Sequence, residues 1–195
     1  MTSAQAGERI EHLIAHDKWK GARALIRKEL HKKPDDHWLL ARLALTYYEE
    51  RDYSSALRYA QKAHERVPDC PLALWELAGA QDMLGKTSDA IATYTQLVSL
   101  PHDPALIETC AEGVDQLLSR KVDAVFRIAL CEKDRGRPDV ALKLLRVYLK
   151  CLESGVATLY GADEAIREMT EITNASPQKS DLPRKMARVR KLLAI

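Results

Sequence analysis

The sequence predicts an all-α fold: an array of antiparallel helix hairpins stacked side by side into a solenoid. Three observations carry this reading. The first is internal repetition. From about Asp36 to Pro101 the chain reads DHWLLARLALTYYEERDYSSALRYAQKAHERVP and then DCPLALWELAGAQDMLGKTSDAIATYTQLVSLP. At a shift of 34, Leu43 falls on Leu77, Ala44 on Ala78 and Ala56 on Ala90, while Pro68 falls next to Pro101. Self-similarity at this period marks stacked supersecondary units. The second is spacing: Ala56, Ala60 and Ala63 recur at intervals of four and three, the pattern of one helix face. The third is that one hairpin cannot bury its apolar stripe alone and must stack on neighbours. A chain of 195 residues, 46% hydrophobic and 30% charged, has the material for such a core and argues against disorder over most of its length.

The elements follow in order. Residues from about Ala4 to Ala15 carry Ile10, Leu13 and Ile14 at helical spacing, and a turn at His16–Lys18 leads to WKGARALIRKEL, with Ala22, Leu25, Ile26 and Leu30 on one face. Ala22 stands 34 before Ala56, Pro34 stands 34 before Pro68, and Trp19 precedes Tyr53 in the same way. This is a degenerate first repeat, and terminal repeats are expected to be atypical because one side faces water. In the second repeat Asp36 is the expected N-cap of a helix through Glu50, and RDYSS makes the turn before Ala56. Small residues at Ala56, Ala60 and Ala63 let two helix backbones approach closely, and Pro68 ends the hairpin. In the third repeat Gly85 supplies the turn and Tyr94 takes the place of Ala60.

The run Leu40, Leu43, Ala44, Tyr47, Tyr53, Ala56, Ala63, Pro68 resembles the tetratricopeptide repeat consensus of large, Leu, small, Tyr, turn aromatic, Ala, Ala, Pro. Leu74, Leu77, Ala78, Gly85, Ala90 and Tyr94 continue the resemblance, while Gln81 departs from Tyr, Leu97 departs from Ala, and Leu40 and Leu74 stand where the usual first Trp is absent. The resemblance is strong over 36–101, fair over 3–35 and partial beyond. It implies a right-handed superhelical array, a TPR-like α-solenoid, over residues 1–175, with repeats at about 3–35, 36–69, 70–101 and 104–153.

After Pro104 two frames fit. ALIETCAEGVDQLLSR reads as one helix and AVFRIALCEKD as another, and a strict period of 34 aligns Ala124 with Ala90, making these two a fourth repeat. Alternatively Ile128 and Ala129 mimic Leu43 and Ala44, Gly136 makes the turn, and Ala141, Leu145 and Tyr148 follow, so that 104–119 is an insertion. Beyond Gly155, ATLYGADEAIREMTEI reads as a further amphipathic helix, and TNASPQKSDLP has linker composition. PRKMARVRKLLAI places Met186, Val189 and Leu193 on one face with Arg184, Lys185, Arg188 and Lys191 mostly around the other. Residues 176–195 are thus expected to form a linker and a basic C-terminal helix that caps the array; a detachable segment binding an anionic membrane or acidic partner is the alternative.

Composition excludes several functions. Thirty basic against 28 acidic side chains leave a net charge of +2, which argues against a nucleic-acid binder, and 6% aromatics with a single Phe weaken any base-stacking platform. The N-terminus lacks the pattern of a signal peptide and no run of about 20 apolar residues occurs, so a cytoplasmic protein without a transmembrane segment is expected. Cys70, Cys110, Cys131 and Cys151 form no CxxC pair, which reads as reduced thiols rather than structural zinc or disulfides. No GxSxG, Gly-rich phosphate loop or HExxH is present. His12 and His16 share a helix face but lack a third ligand, since Glu11 points about 100° away. The carboxylate pairs Glu49–Glu50 and Glu112–Asp115 fall on expected solvated faces. No enzyme, cofactor, metal site or small-molecule substrate is expected.

The informative positions lie on the first helix of each hairpin, which in the resembled family lines the concave surface. Counting turns places Trp38, Arg42, Leu45 and Glu49 on that face, followed by Leu72, Glu76, Gly79 and Met83, with Trp75 and Asp82 beside them. One subclass of the family clamps the C-terminal carboxylate of heat-shock chaperones with Asn and Lys or Arg. Here Leu45 and Gly79 stand where the clamp asparagine would be and Ala41 where a Lys is usual, so the clamp is missing. The expectation is a non-enzymatic adaptor that binds a peptide or protein partner through apolar anchors, with a self-associating scaffold or homo-oligomer and an RNA-binding helical repeat as alternatives.

Overall fold

The computed structural model describes residues 2–101, 110 and 113–175, and among these it contains nine helices and no strand. They are α1 (Ser3–Ala15), α2 (Trp19–Leu30), α3 (His37–Glu49), α4 (Tyr53–Arg66), α5 (Pro71–Met83), α6 (Thr87–Ser99), α7 (Val114–Asp134), α8 (Pro138–Glu153) and α9 (Ala162–Ala175). Each helix packs on the next. In addition α3 packs on α5 and α5 on α7, so the first helices of successive hairpins form a continuous row. This is an all-α tetratricopeptide-like repeat fold. The expected C-terminal capping helix lies outside the described residues.

Local chemistry sets the boundaries. Thr2 and Gln5 form a reciprocal capping box at the start of α1. Asp36 caps α3 by accepting from the Leu39 amide at 3.1 Å, and Asp52 caps α4 by accepting from the Ser55 amide at 3.1 Å. Pro71 and Pro138 open α5 and α8, where a missing amide costs nothing. Between hairpin helices one residue turns left-handed: Asp17 (φ 56°), Arg51 (φ 63°), Gly85 (φ 71°) and Gly136 (φ 71°). The first three are 34 residues apart, but Gly136 follows Gly85 by 51, so the array slips by 17 residues.

Of the two frames open after Pro104, the helices follow the one that turns at Gly136, with a longer first helix than expected. In place of two helices meeting near residue 120, α7 runs unbroken from Val114 to Asp134. VDQLLSRKVDAVFRIALCEKD contains neither Gly nor Pro, so nothing stops it once Gly113 has started it. The structure pairs α7 with α8 across Gly136, and Ala124 lies inside the first helix of that hairpin, not at the start of its second. Lys121 is buried where α7 meets the end of α6, and its amine donates to the Leu100 carbonyl. A second difference concerns residues 156–161, which form a loop before α9 instead of its first turns. The Tyr148 hydroxyl donates to the Tyr160 carbonyl there, and the Thr158 hydroxyl donates to the same oxygen at 2.9 Å.

The core runs along the seam between helices. Ala22, Ala56, Ala90 and Ala141, one on the second helix of each hairpin, are at most 1% exposed, as are Ala44, Ala78 and Ala129 on the first helices. Larger side chains fill what the alanines leave: Leu74, Tyr94, Leu97 and Leu117 in one cluster, and Phe126, Leu145, Tyr148 and Ile172 in the next.

The turn residues give a paired test. An L-residue at positive φ costs on the order of 1 kcal/mol relative to glycine. Urea unfolding is expected to show Gly85→Ala destabilised by about 1 kcal/mol. Arg51→Gly, one repeat earlier, is expected to move the other way, by up to about 1 kcal/mol.

Candidate functional site

The row of first helices carries a pocket of about 220 Å³. Leu45, Tyr48 and Glu49 enter it from α3, Trp75, Glu76 and Gly79 from α5, Arg127 from α7, and Leu159 and Tyr160 from the loop before α9; Tyr94 of α6 closes the back. Tyr48 and Glu49 follow Leu45 by three and four positions on α3, and Gly79 follows Trp75 and Glu76 by four and three on α5, so each set shares one helix face. Gly79 makes the room: a Cβ there would stand 3.4 Å from the Tyr48 ring. Trp75 meets Tyr94 edge to face with ring centroids 5.7 Å apart.

Electrostatically the floor is balanced and the rim is acidic. Arg127 and Asp82 form an ion pair, their side chains only 18% and 15% exposed. Arg127 also donates to the Tyr160 hydroxyl at 3.4 Å. Such a pair is costly to break, because either partner left alone is a buried charge. Burial pushes Tyr48 up to about 12 and raises Tyr94 and Tyr160 as well, so all three phenols stay protonated and neutral around the guanidinium. Glu49 at the rim is raised by burial and by the charge of Asp17.

A family model described as tetratricopeptide repeat matches residues 41–104. That match spans most of the second and third hairpins, and the other described helices continue the same tetratricopeptide-like fold on either side. The fold is similar to that of MamA, with 15% identity, a TM-score of 0.59, and coverage of 92% of this chain and 94% of MamA. It is also similar to that of a thermophilic TPR protein of Thermus thermophilus, with 17% identity, a TM-score of 0.54, and coverage of 96% and 98%. Identities this low establish the fold alone. No curated protein matches the chain.

On this scaffold the positions chosen by counting turns fall in different places. Leu45, Glu49, Trp75 and Glu76 line the pocket. Asp82 sits beneath it as the partner of Arg127, and Met83 is exposed beyond its end. Trp38 and Arg42 face the opposite way, toward the first hairpin: the Arg42 guanidinium lies 5.5 Å from the Trp38 ring centroid and pairs with Glu11 at 2.6 Å. Leu72 corrects the count outright. It is 0% exposed, packed with Leu40, Ala41 and Ala63, because the first turn of α5 is buried against α4. Tyr48, Tyr94, Arg127 and Tyr160 were missed. Arg127 and Tyr160 come from beyond the 17-residue slip, where two alignments with the earlier repeats were open. Leu45 and Gly79, at the positions of the heat-shock clamp asparagine, both line the pocket. The rings of His12 and His16 are tilted to each other with centroids 4.2 Å apart, exposed at the C-terminal end of α1.

The loop wall depends on Asp123, which is 1% exposed and accepts from the Leu159 amide with both oxygens at 3.1 Å. Burial pushes this carboxyl up to about 6, against the amides of Leu159 and Tyr160 and the charge of Arg120. A carboxyl raised by folding binds its proton more tightly in the folded state. Its contribution to stability is therefore full below its unfolded value near 4 and is lost as pH rises toward 6. Urea unfolding from pH 4 to 6 is expected to show the protein losing about 2 kcal/mol over this window relative to Asp123→Asn, a figure discounted for water reaching the loop side.

Proposed function

We propose that this protein is a non-enzymatic interaction module whose concave pocket receives an apolar or aromatic anchor from a peptide or protein partner. Tetratricopeptide repeats as a class are protein–protein interaction modules. The observation that carries the finer reading is the aromatic wall of Tyr48, Trp75, Tyr94 and Tyr160 set between three hairpins. Its volume, about 220 Å³, suits one large side chain and falls below the range of about 300–1,000 Å³ usual for small-molecule and cofactor sites. Trp, Tyr and Arg are also the residue types that dominate interface energetics. Glu49 at the rim disfavours a carboxylate terminus or a nucleic-acid backbone as the occupant.

No nucleophile paired with a base lines the pocket, which supports binding over catalysis. No helix among the described residues is long and apolar enough to cross a membrane. Three buried cysteines and one half-buried one, none in a disulfide, fit work in a reducing compartment such as the cytoplasm.

The test is selection of peptide ligands from a displayed library, followed by affinity measurement against variants whose circular dichroism matches the parent. Trp75→Ala is expected to weaken binding at least tenfold. Lys62→Glu, on the exposed face of α4, is expected to leave it unchanged. Binding that survives Trp75→Ala but is lost with Lys62→Glu would move the functional surface to the convex side.

A further inference from the structure

On the far edge of the array from the pocket, three side chains distant in sequence converge. His37 is the first residue of α3, Cys70 is the N-cap of α5, and Cys110 belongs to the segment between α6 and α7. One nitrogen of His37 and the two sulfurs all lie within 4.8 Å of one another. This is the one such convergence of His, Cys, Asp and Glu donors found among the described residues. Both cysteines are 0% exposed, and the shell around them is apolar: Leu40, Ala41, Ala63, Leu72 and Ala73.

Two features set this cluster apart from the repeat. Cys70 stands 34 residues after Asp36, at the same N-cap, where a thiol replaces the carboxylate that caps α3 through the Leu39 amide. In addition the three groups are turned to one another: His37 interacts with the Cys70 sulfur, and Cys70 with Cys110. Thiols and an imidazole held together in an apolar shell can exchange their protons for a metal ion.

We propose that His37, Cys70 and Cys110 form a structural site for a divalent, thiophilic cation, namely Zn²⁺. Imidazole and thiolate are the donors zinc prefers. Charge selects the divalent ion: two thiolates and a neutral imidazole around Zn²⁺ sum to zero, as an apolar shell requires, whereas Cu⁺ would leave a net negative charge there. The helix N-terminus at Cys70 favours the thiolate form. Three protein donors leave the fourth tetrahedral position for a water or another ligand. The cation would join the starts of two successive first helices to the segment that carries the 17-residue slip, cross-linking three consecutive parts of the array. Binding displaces two thiol protons to solvent and involves no redox change.

The test uses the full chain, reduced, equilibrated with excess Zn²⁺ and desalted. Metal analysis is expected to give one zinc per chain, and the Co²⁺-substituted form to show thiolate-to-cobalt charge-transfer absorption. His37→Gln, Cys70→Ser and Cys110→Ser are each expected to weaken zinc binding at least tenfold, since even second-shell changes cost about 10–100-fold. Cys151→Ser, half-buried on α8, serves as the control and keeps the metal. Should a cysteine variant fail to fold by circular dichroism, His37→Gln carries the test, because its side chain is only half-buried. A reduced chain that retains no zinc, or zinc retained equally by all three variants, overturns the proposal. So does loss confined to the cysteine variants, which removes His37 from the site.

Discussion

Every other contact in this molecule presupposes the close approach of helix backbones at alanine. Ala44, Ala78 and Ala129 face Ala56, Ala90 and Ala141 across the hairpins, all at or below 1% exposure. A larger side chain at any of these seams would separate the helices by more than a close-packed interior tolerates. Because the seams are thin, the large side chains are displaced to the outer layers of the packing, where they determine what each surface can do. Tyr94 shows this directly. It replaces the small residue that Ala60 represents one repeat earlier, and its ring closes the back of the pocket.

The pocket therefore arises from irregularities laid over a regular frame. A strictly repeating array would present the same groove residues from each hairpin, whereas here Leu45 is followed by Gly79, and Tyr48 and Tyr94 approach the space a side chain would have taken. The wall beyond them is built from the unrepeated part of the chain, by Arg127 and by a loop that Asp123 holds through the Leu159 amide. An ion pair between α5 and α7, Arg127 with Asp82, keeps the two halves of the floor in register.

How much of this could be read in advance follows from which forces are local. Helix periodicity, the 34-residue step, the Asp36 cap and the Gly85 and Gly136 turns are properties of short stretches, and the sequence shows them plainly. Counting turns also found Leu45, Glu49, Trp75 and Glu76, because a face is fixed once a helix is. It failed at Leu72, where burial depends on the neighbouring α4 and not on the helix's own pattern. After Pro104 it left two frames open, since a 17-residue slip keeps helical spacing intact while breaking the 34-residue step that would choose between them. Cys70 and Cys110, 40 positions apart in sequence, were beyond any motif, because only the stacking of α3, α5 and the following segment brings them to one place.

The left-handed residue between hairpin helices has a kinetic side. With each chain reversal settled by one backbone conformation and each helix touching mainly its neighbours, most contacts join residues close in sequence. Such a topology has little loop-closure entropy to overcome, so structure can begin in any hairpin and spread along the array. The exceptions are the longer-range ties at the C-terminal side: Asp82 with Arg127, Asp123 with Leu159, and Lys133 with Glu168 at 2.5 Å. These ties converge on α7. The pocket wall consequently rests on contacts of greater sequence separation than the hairpins do, and closing it costs more loop-closure entropy than closing any single hairpin.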